Sequence, residues 1–148
     1  MIRVQADPFD PAAELAAFVE RVPGAGAIAS FTGLVRAESD GEAVSALELD
    51  HYPELTGRAV AGIGEDAQER FGLAAHVIVH RHGALAPGEP IVFVAAAAAH
   101  RRSAFDAVDY MMDRLKTEAP FWKREHGPQG ARWIEAREAD LKDKARWE

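Results

Sequence analysis

Basic and aromatic side chains cluster around a proline near the end of an otherwise acidic chain. The cluster spans residues 115–125 and contains three cations, Lys116, Lys123 and Arg124. The whole chain has 24 acidic and 17 basic residues and a net charge of −7, so this concentration of positive charge is local. Such a cluster predicts a pocket that binds an anion.

Two lysines of this cluster are predicted to face each other. Pro120 must end any helix that arrives from its N-terminal side, which leaves Lys116 in the last helical turn. Beyond the proline, an extended chain places Phe121, Lys123 and Glu125 on one face and aims Lys123 back toward Lys116. Two nearby ammonium groups repel each other, so either one has a lowered pKa suited to proton transfer or a bound anion neutralises both. The alternative is a helix C-terminus whose basic residues complement the helix dipole and have no further role.

Further basic groups lie at predicted element boundaries. His100 and Arg101 stand where a helix begins, so free backbone N–H groups, the helix dipole and a guanidinium group could bind one phosphate. A solvated run of charge at a helix start explains the same residues. Arg36 directly follows the strand-like residues 31–35 and is a weaker candidate.

Histidines offer a second kind of chemistry, because imidazole is a frequent ligand of zinc and iron. The candidates are His76, His80, His82 and His100, of which His80 and His82 would share one face of a strand. No carboxylate has a familiar ligand spacing and no H-E-x-x-H pattern occurs, which favours a structural role for the histidines. The chain also lacks the G-x-S-x-G motif of hydrolases and the phosphate-binding loop of NTPases.

Length and composition limit the classes of protein. The 148 residues, 48% of them hydrophobic, predict one folded domain spanning residues 1–148. The acidic balance argues against nonspecific binding to nucleic acid or membranes. The absence of cysteine excludes disulfides and thiolate catalysis. The first residues lack the apolar stretch of a signal peptide, and the longest apolar run, residues 91–99, is shorter than the ~18 residues of a membrane span. We therefore expect a soluble, cytoplasmic protein.

The spacing of apolar residues predicts an α+β fold with about three helices and a mostly antiparallel sheet. The helices are expected at residues 10–22, 55–72 and 101–116, with a charged and exposed helical segment at 138–148. Strands are expected at residues 26–31, 44–49, 75–82, 89–98, 121–125 and 132–136. Gly33 is expected to form a bulge or bend, and residues 38–42 a hairpin loop.

A series of short motifs links these elements in a recognisable order. The motifs are F-T-G-L-V-R at 31–36, L-D-H-Y-P at 49–53, H-R-H-G at 80–83, P-G-E at 87–89, H-R at 100–101, L-K-T at 115–117, A-P-F-W-K-R-E at 119–125 and E-A-R at 135–137. Their order and spacing resemble the catalytic large subunit of molybdopterin synthase, the MoaE family. The resemblance covers residues 26–137, which is most of the chain.

This resemblance implies a sulfur transferase of molybdenum cofactor biosynthesis with an α/β hammerhead-like fold. The expected substrate is cyclic pyranopterin monophosphate, which the family converts to molybdopterin by installing a dithiolene. The expected sulfur donor is the C-terminal Gly-Gly thiocarboxylate of a small ubiquitin-like partner of the MoaD type. The resemblance also implies a homodimer within a heterotetramer and no metal or cofactor at this step.

The resemblance assigns roles to residues already singled out. Lys116 and Lys123 become the catalytic pair, with Lys116 in proton transfer and substrate positioning and Lys123 holding the thiocarboxylate or an oxyanion. The remaining members of the expected binding site are Arg36, His100, Arg101 and Arg137 for the anions, Phe31 and Met112 for the pterin or the glycine tail, and Glu125 to orient Lys123. Sites of this family draw residues from both protomers, which makes Arg137 a candidate to enter the neighbouring pocket.

Two departures from the family and two alternative functions accompany this hypothesis. His82 stands where the family usually has an apolar residue, and residues 95–99 are all alanine where branched residues are usual. The first alternative function is a phosphate-binding or nucleotide-binding module without catalysis, built on His100 and Arg101. The second is a metal-dependent hydrolase built on the histidines.

Overall fold

Four helices and two four-stranded sheets make up the fold in a computed structural model that describes residues 1–148. The helices are α1 (Pro11–Arg21), α2 (Pro53–Phe71), α3 (Arg101–Glu118) and α4 (Glu138–Ala145). The strands are β1 (Ile2–Gln5), β2 (Ala27–Leu34), β3 (Glu38–Ser39), β4 (Glu42–Ala43), β5 (Ala46–His51), β6 (Ala75–Arg81), β7 (Gly83–Leu85), β8 (Pro90–Ala98), β9 (Phe121–Gly127) and β10 (Gly130–Ile134). The predicted α+β class is confirmed, and all strand pairs except β1 with β6 are antiparallel.

The first sheet has the strand order β1-β6-β8-β2 and supports helices on both faces. Alternate residues of β8 point to opposite sides. Phe93, Ala95 and Ala97 pack with Phe18 of α1, whereas the residues between them belong to the core formed with α2 and α3. The alanines of β8 are poor strand formers. Their small side chains suit this central strand because helices cover both of its faces.

The second sheet has the order β10-β9-β5-β7 and contains the segment that follows Pro120. Strand β9 pairs with β5 so that Lys123 lies opposite Leu49. Leu49 packs with Val35 and Leu85 in a small buried cluster beside the end of β2. This cluster holds β9 against β2 and brings Lys123 to the junction of the two sheets.

Three features of the fold differ from the predicted pattern. Strands β1 and β7 were not predicted, because each is too short to show a clear alternation of apolar residues. The hairpin loop at residues 38–42 contains the two short strands β3 and β4, joined by Asp40 at φ 51° and Gly41 at φ 82°. The strand expected at 132–136 is β10, which begins earlier because Gly130 closes a tight turn with φ 96° and pairs at once with Gly127.

The charged C-terminal segment forms α4 and is fastened to α3. One carboxylate oxygen of Asp113, Oδ2, accepts hydrogen bonds from Trp147 Nε1 and Arg146 Nη2, both at 2.7 Å. The Trp147 ring makes T-shaped contacts with Tyr110 and Phe71 at centroid distances of 5.5 and 5.8 Å. These contacts fix α4 beside the C-terminal end of α3. No helix in the fold is both long enough and apolar enough to span a membrane.

Candidate active site

A cavity of about 620 Å³ lies where the two sheets meet the C-terminal end of α3. Its walls come from the end of β2, the strands β5 and β9, the last turns of α3 and the segment that leads into α4. Seven of the predicted site residues line it, namely Phe31, Arg36, Met112, Lys116, Lys123, Glu125 and Arg137. Residues far apart in sequence thus converge on one concave site, as a binding or catalytic role requires.

The two lysines enter this cavity as the proline predicts. Helix α3 ends at Glu118, Ala119 is extended with ψ 125°, and β9 begins at Phe121. Burial is the main cause that lowers the pKa of Lys123 to about 8, and the charge of Lys116 lowers it further. Burial also lowers the pKa of Lys116, although part of this side chain reaches solvent at the mouth of the cavity. Lys123 is therefore poised to gain or lose a proton near neutral pH.

Two arginines add positive charge to the same cavity. The register of β2 shifts between Gly33 and Leu34, and this bulge redirects the chain toward Arg36. A Cβ atom at Gly33 would lie 2.7 Å from Val92 Cγ1, so the close approach of β2 and β8 requires glycine here. Both Arg36 and Arg137 contribute to the lowered pKa of Lys116.

Arg137 lines the cavity of its own chain, immediately before α4. The attachment of α4 to α3 through Asp113 and Trp147 keeps the start of α4 at the cavity. The candidate role of Arg137 in the pocket of a neighbouring protomer stays a prediction. Within one chain, Arg137 already lies within electrostatic reach of both lysines.

Arg124, the third cation of the basic cluster, lies outside the cavity. It follows Lys123 in β9 and points to the opposite face of the sheet. Its guanidinium pairs with Glu48 at 2.5 Å and lies 5.4 Å from the centre of the Trp133 ring. The alternation of β9 therefore divides the cluster into a cavity side and a structural side.

Three carboxylates, Glu125, Glu135 and Asp140, line the cavity together with the cations. Glu125 lines the cavity, and its closest ionic partner is Arg132 at 3.4 Å. Its predicted role of orienting Lys123 stays a prediction. Asp140 also lines the cavity and accepts a hydrogen bond from the backbone N–H of Arg137 at 3.3 Å. We did not predict Asp140, although its position three residues after a helix start is a recognisable sequence signal.

An apolar wall completes the cavity. Phe31 is 42% exposed although it is a large aromatic residue, and Met112 is half-buried in the last turns of α3. Leu115 and Phe121 lie on the same wall. A mixed surface of this kind suits a ligand with both a planar or aliphatic part and an anionic part. The proposed contacts of Phe31 and Met112 with the pterin or a glycine tail stay predictions.

His100 and Arg101 do not enter this cavity. They begin α3, and the 16-residue interval to Lys116 corresponds to about 24 Å along the helix axis. Both are exposed, and the His100 side chain forms no capping hydrogen bond. If these residues bind the same substrate as the lysines, they must do so from a second protomer.

The histidines are dispersed and serve local contacts. His76 Nδ1 lies 2.5 Å from Gln68 Oε1, and the His82 ring lies 4.2 Å from that of His51. His80 is buried, stacks on Phe121 at 4.1 Å and has Nδ1 2.8 Å from the carbonyl oxygen of Arg81. Burial lowers its pKa to about 3, so the imidazole is neutral. No three His, Cys, Asp or Glu side chains are grouped so that they could hold a metal ion.

Comparisons with known proteins agree with this architecture. The family model described as MoaE protein matches residues 4–118. The molybdopterin synthase catalytic subunit of Cereibacter sphaeroides is 50% identical over 146 residues, which cover 99% of each chain. That of Caulobacter vibrioides is 53% identical over 141 residues, covering 95% of this chain and 93% of the relative. The solved structure of the MoaE protein from Burkholderia ambifaria has 47% identity and a TM-score of 0.84, covering 99% of this chain and 97% of that one. The chain belongs to the MoaE family.

Proposed function

We propose that the chain is the catalytic subunit of a molybdopterin synthase and acts in molybdenum cofactor biosynthesis. It transfers sulfur from the C-terminal thiocarboxylate of a small ubiquitin-like partner to cyclic pyranopterin monophosphate. Its full-length relatives bear the name molybdopterin synthase catalytic subunit. Family membership supports the reaction, and the geometry of the cavity supports the residues that perform it.

The pair of lysines in a partly desolvated cavity is the observation that carries this proposal. Burial lowers the pKa of both lysines, the charge of Lys116 lowers that of Lys123 further, and Arg36 and Arg137 lower both. Four cations line the cavity against three carboxylates, and one of the carboxylates, Glu125, is already paired with Arg132. The cyclic phosphate and the thiocarboxylate both supply negative charge, and charge-assisted hydrogen bonds to them are strong in such a site.

The chemistry of sulfur transfer requires both proton transfer and stabilisation of an oxyanion. The thiocarboxylate sulfur forms a bond to a substrate carbon while a carbon–oxygen bond of that carbon breaks and the oxygen leaves with the electron pair. Water then cleaves the bond between that sulfur and the glycine carbonyl carbon. The water oxygen stays on the partner as a carboxylate, and a proton is released. Hydrolysis passes through an oxyanion, which a fixed ammonium group stabilises.

The sequence-based division gave proton transfer to Lys116 and anion binding to Lys123, and the pKa shifts favour the reverse. With a pKa of about 8, Lys123 is neutral in about one molecule in ten at pH 7. Its pKa therefore suits it to proton transfer. Lys116 lies nearer to the mouth of the cavity, where a retained charge can hold the phosphate or the thiocarboxylate.

The sulfur donor must be a separate molecule that reaches into the cavity. The chain has no cysteine, so it has no thiol to carry sulfur itself. A tail that ends in glycine fits the role, because only a strand without side chains can pass into a narrow site. We propose a homodimer within a heterotetramer, in which His100 and Arg101 of each protomer supply the phosphate contacts missing from the cavity of the other.

The decisive experiment combines the chain with a thiocarboxylated small partner and cyclic pyranopterin monophosphate. Dithiolene product, which requires all three components, is the expected result. Substrate binding without any product would instead favour a phosphate-binding module without catalysis. Product that depends on an added divalent metal would favour the metal-dependent alternative.

A cytoplasmic location is proposed as well. A chain without cysteine is compatible with a reducing compartment, and its proposed partner and substrate must share that compartment. Fractionation of cells into cytoplasmic, membrane and exported fractions tests this location. Recovery of the protein chiefly outside the cytoplasmic fraction would contradict it.

A further inference from the structure

Asp140 is the half-buried carboxylate of the cavity that has no ionic partner among the arginines and lysines paired in the fold. Of the other two acidic residues of the cavity, Glu125 is paired with Arg132 and Glu135 is exposed. Asp140 is half-buried, lines the cavity and lies in the first turn of α4. Its Oδ2 atom accepts a hydrogen bond from the backbone N–H of Arg137, which ties it to the arginine of the same site.

The position of Asp140 depends on contacts at the far end of α4. Trp147 and Arg146 bind Asp113 of α3, and Lys144 lies 3.9 Å from Glu118. These contacts hold the first turn of α4 over the cavity. The carboxylate is therefore fixed by packing that involves no cavity residue.

From this placement we infer that Asp140 is a positioning residue, the counter-charge that keeps the lysine pair protonated and holds Arg137 at the cavity. The expected effect on catalysis rests on the proposed function. The expected effect on the pKa values of the lysines does not, because it can be measured in the free protein. An opposite charge in a partly desolvated site stabilises an ammonium group, whereas neighbouring cations destabilise it.

Every charged group around the lysines enters this balance. Arg36 at the end of β2 and Arg137 before α4 lower the pKa of both lysines, whereas Asp140 raises it. His80 of β6 is neutral because burial lowers its pKa, Glu125 is engaged by Arg132, and Glu135 lies exposed at the cavity. Asp140 is thus the carboxylate that opposes both burial and repulsion at the pair.

Asp140→Asn isolates the charge from the hydrogen bond, because the asparagine oxygen can still accept from the Arg137 N–H. The matched control is Asp143→Asn, which removes the same charge from an exposed position of α4 without an ionic partner. Asp140→Glu is the conservative variant that restores the charge. The measurement is an NMR titration of isotope-labelled lysine side chains in the free protein.

The expected result is a lower titration midpoint for Lys123 in Asp140→Asn. At pH 8 the ratio of protonated to neutral Lys123 should fall about twofold or more relative to Asp143→Asn, and Asp140→Glu should recover most of the loss. Equal Lys123 midpoints in Asp140→Asn and Asp143→Asn would overturn the inference. A further variant, Asp140→Ala, removes both the charge and the hydrogen bond. A Lys123 midpoint that changes in Asp140→Ala but not in Asp140→Asn would likewise overturn the inference, since it would show a role confined to the hydrogen bond.

Turnover provides a second readout that separates this inference from the proposed function. With thiocarboxylated partner and cyclic pyranopterin, the alkaline limb of the rate against pH should move to lower pH in Asp140→Asn but not in Asp143→Asn. If the native chain gives no product, the proposed function fails while the titration still decides the role of Asp140. If turnover is normal and the Lys123 midpoint does not move, Asp140 is not the counter-charge.

Discussion

The two ends of α3 both carry basic residues, but only one end lies in a cavity. At the N-terminal end, His100 and Arg101 are exposed. At the C-terminal end, Lys116 meets Lys123, and burial is the main cause of the lowered pKa of each. The comparison shows that packing of neighbouring elements, which excludes water, turns a basic cluster into a reactive site. A basic cluster without such neighbours in its own chain stays solvated unless a second protomer covers it.

The largest expected effect is the loss of either lysine at the cavity end of α3. Lys123→Ala and Lys116→Ala should each lower turnover about 10²-fold or more, because a fixed charge in a desolvated site acts on the transition state. The control is Lys142→Ala, which removes a lysine from the exposed face of α4, where it lies 3.7 Å from Glu138. The measurement is kcat with saturating partner and substrate, alongside the far-UV circular dichroism of each variant. A folded variant with nearly native kcat would remove that lysine from the catalytic role.

Mixed dimers test whether the two ends of α3 serve one site. At substrate concentrations well below saturation, where Arg101→Ala alone should be about tenfold less active, its mixture with Lys123→Ala should recover about a quarter of native activity, because half of the dimers are mixed and each keeps one intact site. Lys123→Ala mixed with Arg137→Ala should recover none, since Arg137 lines the cavity of its own chain. The measurement is product formation after subunit exchange, with mixed dimers confirmed by mass spectrometry. Recovery in the Arg137 mixture and not in the Arg101 mixture would reverse the assignment.

A smaller effect is expected from the N-terminal end of α3 alone. Arg101→Ala should weaken substrate binding by about tenfold and make the remaining binding less sensitive to salt, because one phosphate contact is lost. Arg102→Ala, the adjacent exposed arginine, is the matched control. The measurement is calorimetric titration at two salt concentrations. Equal affinity and salt dependence for the two variants would show that the basic residues at this end of α3 are solvated and do not bind the substrate.

The sequence predicted the elements whose signals are local. Pro120 predicts the end of α3, and the alternation after it places Lys123 and Glu125 at the cavity, although Trp122 of the predicted opposite face lines it too. Gly33 predicts the bulge that directs Arg36. Strand β1 escaped prediction because its four residues gain their order from parallel pairing with β6, more than 70 residues away. A strand this short, whose pairing partner is distant in sequence, lacks the alternation of apolar residues from which a strand is predicted.

The same distinction applies to the candidate site. Lys116 and Lys123 could be predicted because they lie only seven positions apart and one proline sets their geometry. Asp140 could not, because its approach to the lysines depends on contacts of Trp147 with α3. Burial of His80 against Phe121 likewise arises from two sheets that meet. Sequence therefore predicts the cations of the site better than the groups that tune them.

The smallest expected effect concerns stability and distinguishes a buried lysine from a solvated one. The pKa of Lys123 is about 8 in the folded chain and takes its ordinary value of 10.5 on unfolding, so the protonated lysine favours the unfolded state. This penalty is complete below pH 8 and disappears as pH rises through 10.5. Lys123→Met should therefore raise the free energy of unfolding at pH 7 by about 1 to 3 kcal/mol, with the gain lost above pH 10.5. Lys142→Met, on the exposed face of α4, should show no such dependence on pH. Urea denaturation at pH 7 and near pH 11 measures both. A Lys123→Met variant that is less stable than the native chain at pH 7 would show that burial does not destabilise the charged lysine. The two ends of α3 would then differ in the presence of a cavity but not in the desolvation of their cations.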